Sequence, residues 1–240
     1  MIVIILILLL SILSIKYSKQ IKKYSIFLYV LSVIISIAFI VILKLNLTSN
    51  FPVFINKYFI NIFSRGTISL ALFTIVMFTG VLNNSSNIKK KLMSIRGELS
   101  IIACIITLGH NILYGMFYFP TFFTNPSKLS TFKLIATSIS LLMIILMLPL
   151  MITSFRFVRK KMRYKTWKNI QRTAYLFYGL IYIHILFLFI PKLQSGKFLD
   201  LLIYSLIFLS YYPLRIFKYI KDKNKVKLNR LKTNTQSNYQ

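Results

Sequence analysis

The chain has 240 residues, of which 57% are hydrophobic and only 14% charged, and its 31 Lys and Arg against three acids give a formal net charge of +28. The apolar residues fall into continuous runs of roughly 16–23 broken by short basic segments, which excludes a soluble domain and, because the runs do not alternate, a barrel of strands. The basic excess lies in the connections between runs, where it sets orientation and meets the anionic head groups of membrane lipid, so no nucleic-acid surface is read from it.

The expected fold class is therefore all-α, a polytopic transmembrane helix bundle. The first run, Met1–Ile15, is short for a span, has no positive residue before it and no small-residue cleavage site after it, and reads as an N-terminal anchor and not a signal peptide. Six further runs follow at about Ser25–Leu45, Gly66–Leu82, Glu98–Phe119, Leu134–Phe155, Thr173–Ile190 and Leu201–Phe217. That makes seven spans, or six if the first run is interfacial. Asn46–Arg65, with Pro52 and several aromatics, reads as an external loop with an amphipathic turn. The domain division expected is residues 1–65 as anchor spans and external loop, 66–217 as the main transmembrane domain, and 218–240 as a basic, disordered cytoplasmic tail. Of the Lys and Arg, 24 lie in the first, third and fifth connections and the tail, and 7 in the remaining connections. The heavier set should face the cytoplasm, with the protein in the plasma membrane. Frequent Ile, Lys and Asn fit an A/T-rich bacterial genome.

Only two histidines occur, and both fall inside apolar runs. His110 is twelve residues past Glu98 and His184 eleven past Thr173, so each sits roughly 17–18 Å from the inner end of its helix. Titratable groups at such depth are costly and are functional by default. Two imidazoles at one level on helices running in the same direction suit a metal approached from two sides, as in a bis-histidine heme b, with Ile106, Leu113, Leu180 and Phe187 as enclosing neighbours. Helix-to-helix hydrogen bonding and proton transfer are the competing readings; the second lacks carboxylates deep in any span. A bare zinc or copper site would need further ligands. The single cysteine, Cys104, lies in an apolar run, and no Cys-x-x-Cys-His occurs, so a heme would be held non-covalently.

An ordered series of motifs bears on the choice. Gly66-Thr-Ile-Ser-Leu-Ala-Leu-Phe73 comes first, then Ser94-Ile-Arg-Gly-Glu-Leu99 and Leu108-Gly-His-Asn-Ile-Leu-Tyr114. Leu148-Pro-Leu-Met-Ile-Thr-Ser154, Trp167-Lys-Asn-Ile-Gln-Arg-Thr-Ala-Tyr175 and Ile183-His184 follow. Together they resemble the ferric-reductase-like transmembrane domain, and within it the bacterial heme-binding membrane subunit of the periplasmic methionine sulfoxide reductase system. The resemblance implies that His110 and His184 are axial ligands of heme iron. It also implies a departure: where the family has an inner-heme histidine, this chain has Gln171, so one heme is implied near the outer half of the bilayer.

On this reading the protein is a membrane b-type cytochrome passing single electrons to or from an acceptor at the outer face. That acceptor is an extracytoplasmic partner reductase, ferric iron or an oxygen species such as superoxide. The donor is a quinone or a flavoprotein, or an FMN or FAD held in the inner half, for which Arg159, Lys160, Lys161, Arg163, Lys165 and Trp167 are the candidate residues; their alternative role is a topology signal. No Gly-x-Gly-x-x-Gly is present. The alternative function is a non-catalytic protein that binds, sequesters or senses heme.

Overall fold

The structure is a computed structural model that describes residues 2–237, apart from the side chains of Lys57 and of residues 226–237. Seven main helices follow in order: α1 (Ile2–Lys16), α2 (Ser25–Lys44), α3 (Thr67–Phe78), α4 (Arg96–Thr124), α5 (Thr131–Ile152), α6 (Tyr164–Phe189) and α7 (Phe198–Ser237). Five of them, α2 and α4–α7, are long and apolar enough to cross a membrane. A sixth crossing arises if Val53–Ser64 and α3, bent by 51° at the break between them, count as one broken span. The six or seven spans expected thus become five or six. At 15 residues, α1 is only about 22 Å long, short of a hydrocarbon core about 30 Å thick.

Polarity is distributed as lipid demands. Large apolar side chains face outward, as with Ile26 and Phe27 at 75% and 64% exposure, while Ser32 and Ser36 on the same helix are buried. Ser36 donates to the carbonyl of Ser32, and Thr74, Thr79 and Thr107 likewise bond the carbonyl one turn back, so these hydroxyls are paired in a medium that offers no water. Small residues then let backbones approach: a Cβ on Gly109 would lie 2.9 Å from Cβ of Ser36, which is how α2 and α4 come together.

The short helix α3 is the axis of the bundle, with every residue from Ser69 to Met77 buried. It packs against α1 and α4, α4 packs also on α2 and α5, and α6 rests on α5 and α7. Between α3 and α6 the space is filled by Phe73 against Phe177, ring centroids 5.1 Å apart, and by Tyr178, whose hydroxyl lies 3.2 Å from that of Thr74.

One end of the bundle gathers the basic segments. Arg156 pairs with the buried Glu98 and reaches the carbonyl of Lys22 at 3.4 Å. Arg215 donates to the carbonyl of Gly80 at 3.2 Å, and Asn84 to Asp222 at 3.1 Å. The first, third and fifth connections and the start of the C-terminal segment therefore meet at one end, as the charge count requires.

Two sequence expectations change. The basic loop 156–172 is mostly helical: Arg156–Lys161 forms a short helix, and α6 begins at Tyr164, two turns earlier than its apolar run. Charged side chains on an exposed helix end are solvated without unwinding the backbone, so polarity ends the span but not the helix. For the same reason α7 does not stop at 217. It continues through Lys218 and Asp222, which pair across one turn at 2.9 Å; residues 238–240 lie outside the described residues.

This arrangement predicts opposite accessibility for the two ends. In a Cys104→Ala background, a membrane-impermeant maleimide should label Ser127→Cys from one face of sealed vesicles and Lys160→Cys only from the other. Labelling of both from one face would overturn the alternation of the helices.

Candidate functional site

Each histidine is anchored by its Nδ1. On α4, His110 Nδ1 lies 2.6 Å from the carbonyl oxygen of Ser64, and on α6, His184 Nδ1 lies 3.0 Å from the carbonyl of Ala136 and 3.3 Å from Oγ of Ser140, both on α5. A carbonyl only accepts, so each Nδ1 carries the proton and donates it. The consequence is a defined tautomer, with Nε2 left as a free lone pair on both rings.

The local sequence explains how these carbonyls come to be there. Ser64 ends the segment that precedes α3, and the chain then turns through Gly66 at φ +68°. A left-handed residue lets the backbone reverse without a Cβ penalty. The turn holds the Ser64 carbonyl against His110, and a Cβ on Gly66 would sit 3.5 Å from the Nδ1 itself. Just before the turn, Asn56–Ile60 forms a single π-helical stretch, a local widening common beside functional groups. Phe39 of α2 stacks on the buried Phe63 at 4.0 Å and ties the segment to α2. The Tyr114 ring lies 4.9 Å from that of His110, one turn along α4.

The two imidazoles lie within electrostatic range of one another, although α4 and α6 share no extensive contact: α5 touches both. The two histidines thus belong to helices joined mainly through α5, and toward the basic end the space between α3 and α6 is filled by Phe73, Phe177 and Tyr178. Among the described residues, no group of three or more His, Cys, Asp or Glu converges to hold a bare ion. The donor set is two neutral nitrogens with fixed tautomers and apolar surroundings that include the buried Ile106, and this set fits a heme.

Gln171 has a different task. Its amide donates to Oγ1 of Thr153 at 3.0 Å and to the Leu150 carbonyl at 3.4 Å, while Trp167, one turn earlier, donates to the Thr153 carbonyl at 3.1 Å. These two side chains cap the C-terminal end of α5, whose last carbonyls have no partner within the helix. Trp167 is also covered on its face by Arg159 at 4.4 Å, the contact that a flavin ring would have to displace. Gly97, at the matching inner level of α4, lies against α5, where a Cβ would be 3.2 Å from the Ser154 carbonyl.

The anchoring partners Ser64, Ala136 and Ser140 were not legible in the sequence. Ser64 lies 46 positions from His110, and Ala136 lies 48 from His184; backbone carbonyls carry no side-chain signature. Cys104 is a buried packing residue, as its run suggested.

Fold and site together define a multi-pass α-helical membrane protein with a pair of anchored imidazoles toward the end of the bundle opposite its basic segments. Residues 65–182 match the family described as Ferric reductase like transmembrane component. The matched stretch opens at the Gly66 turn, contains His110 and ends two positions before His184. This supports the family resemblance carried by the motifs, and it suggests a membrane electron-transfer component. The chain is also similar to an uncharacterized protein of Treponema pallidum (strain Nichols), 39% identical over 204 residues that make up 83% of this chain and 56% of that protein. It thus spans little more than half the length of that relative. No solved structure matches the chain.

If the Gly66 turn holds the Ser64 carbonyl in place, Gly66→Ala should cost about 1–2 kcal/mol of stability through left-handed strain. Thermal unfolding in detergent would measure it. Gly80→Ala, in a partly buried turn without positive φ, should cost less; an equal or greater loss there would deny the turn its special role.

Proposed function

We propose that this chain is a membrane b-type cytochrome in which His110 and His184 hold one heme through Nε2, serving single-electron transfer toward the outer face. The observation that carries the reading is the pair of Nδ1-to-carbonyl hydrogen bonds, which turn two membrane-depth imidazoles into oriented neutral donors. Heme, when bound, supplies a one-electron couple. The chain's own groups do the rest. Ser64, Ala136 and Ser140 fix ring orientation and raise the basicity of Nε2, and Ile106 with its apolar neighbours excludes water, which favours a neutral imidazole.

The inner positions support a single heme. Gln171 is committed to the end of α5, and Gly97 lies against the Ser154 carbonyl, so a second pair of ligands has neither donors nor space. Placement of the histidines at the end opposite the basic segments favours an acceptor at the outer face, for which a partner reductase, ferric iron or superoxide are the candidates. By the positive-inside rule the basic end, with the C-terminal segment, is cytoplasmic in a plasma membrane. A quinol or a flavoprotein is the donor class that suits a one-electron carrier in the membrane.

Pyridine hemochrome analysis of the purified protein should give close to one heme b per chain, with a low-spin spectrum. His110→Ala and His184→Ala should each abolish or severely loosen binding, while Gln171→Ala should leave the Soret band unchanged. A heme content near zero from heme-replete cells would remove the proposal, and two per chain would overturn the assignment of Gln171.

A further inference from the structure

At the basic end, four cations converge from three elements. Arg96 opens α4, Lys89 lies in the short helix before it, and Arg215 and the buried Lys218 lie on α7. Arg96 is within electrostatic range of Arg215, Tyr175 and Tyr211, and Lys89 is within range of Arg96, Arg215 and Lys218. Burial and the nearby Lys218 hold the Lys89 ammonium below its ordinary value.

Some of their hydrogen bonds are accounted for. Arg215 Nε donates to the Tyr175 hydroxyl at 3.0 Å, and Lys89 donates to the Leu82 carbonyl at 2.9 Å and to Asn84 at 2.6 Å. Arg96 is different: its guanidinium, with five donors, makes no side-chain hydrogen bond among the described residues, and neither does the hydroxyl of the buried Tyr211. Charge is equally uncompensated. The chain has only three acids; Glu98 is held by Arg156, Asp200 lies beside Lys197 at the start of α7, and Asp222 is shared by Lys218 and Asn84. Among the described residues none of these three carboxylates is bonded to Arg96, which leaves its donors open to an external anion.

We infer that Arg96, Arg215 and Tyr211, with Lys89 and Lys218 at the rim, form a phosphate-binding niche between the inner ends of α3, α4, α6 and α7. A guanidinium matches two phosphate oxygens at once, and the Tyr211 and Tyr175 hydroxyls supply further donors. Basic pockets between helices on the cytoplasmic side are suited to lipid head groups. The same chemistry would accept the phosphate monoester of a soluble mononucleotide. The niche is independent of the heme assignment, because none of its residues touches His110 or His184.

The test compares the intact chain with Arg96→Gln, Tyr211→Phe and, as a charge-matched control, Lys160→Gln on the exposed short helix Arg156–Lys161. In one arm, native mass spectrometry from detergent measures retention of phosphatidylglycerol against phosphatidylcholine. In the other, titration compares FMN with riboflavin, which lacks the phosphate. Arg96→Gln should weaken phosphate-dependent binding by roughly tenfold, and Lys160→Gln should leave it nearly unchanged. Tyr211→Phe removes one hydroxyl without altering charge or shape, and should give a smaller loss even if Arg96→Gln folds poorly. Loss confined to the lipid arm assigns the niche to a head group, and loss confined to FMN assigns it to a soluble monoester. If the niche variants bind both probes as the control does, the niche does not exist.

Discussion

A polar group inside hydrocarbon must find a partner within the protein, because the solvent offers none. That requirement organises this molecule. Serine and threonine hydroxyls bond back to their own helices, Glu98 keeps Arg156, and the two histidines give their Nδ1 protons to backbone carbonyls. Among the described residues the one fully buried side-chain atom without a partner is Asn56 Oδ1, while the Nε2 atoms of His110 and His184 and the Arg96 and Tyr211 donors, which make no side-chain hydrogen bond among the described residues, are the groups left to meet something else.

The two halves of the bundle are built differently because α3 is short and buried. Its twelve residues carry the aromatic packing of Phe73 and the hydroxyl of Thr74 into the inner half. Outward of Gly66 the chain leaves the axis through a bent, partly π-helical segment, and its ladder no longer separates α4 from α6. The start of this buried helix is thus set by one left-handed glycine.

The basic end shows why net charge alone is a poor guide to role. Most of the 31 cations are solvated side chains that orient the helices, and the exposed Arg163 and Lys165 are of that kind. Arg96 belongs to a different group, since it is drawn between helices and surrounded by other cations. Trp167 and Gln171 are likewise engaged in the structure, where they cap α5 through Thr153.

The fold class of this protein was legible in its residues. Continuous apolar runs demand helices that satisfy their own backbone, and the basic connections expected on one side gather at one end of the bundle, both of them local or periodic properties. Helix ends were less legible: α6 starts before its apolar run and α7 continues past its own, because water solvates charged side chains on a helix without melting it. What only tertiary structure decided were the contacts between distant segments. Sequence distance conceals that the Ser64 and Ala136 carbonyls fix the imidazole tautomers, that Gln171 braces α5, and that Arg96 meets Arg215 without a carboxylate. Backbone carbonyls are chemically identical at every position, so only the packing of α3 to α7 selects which of them a side chain meets.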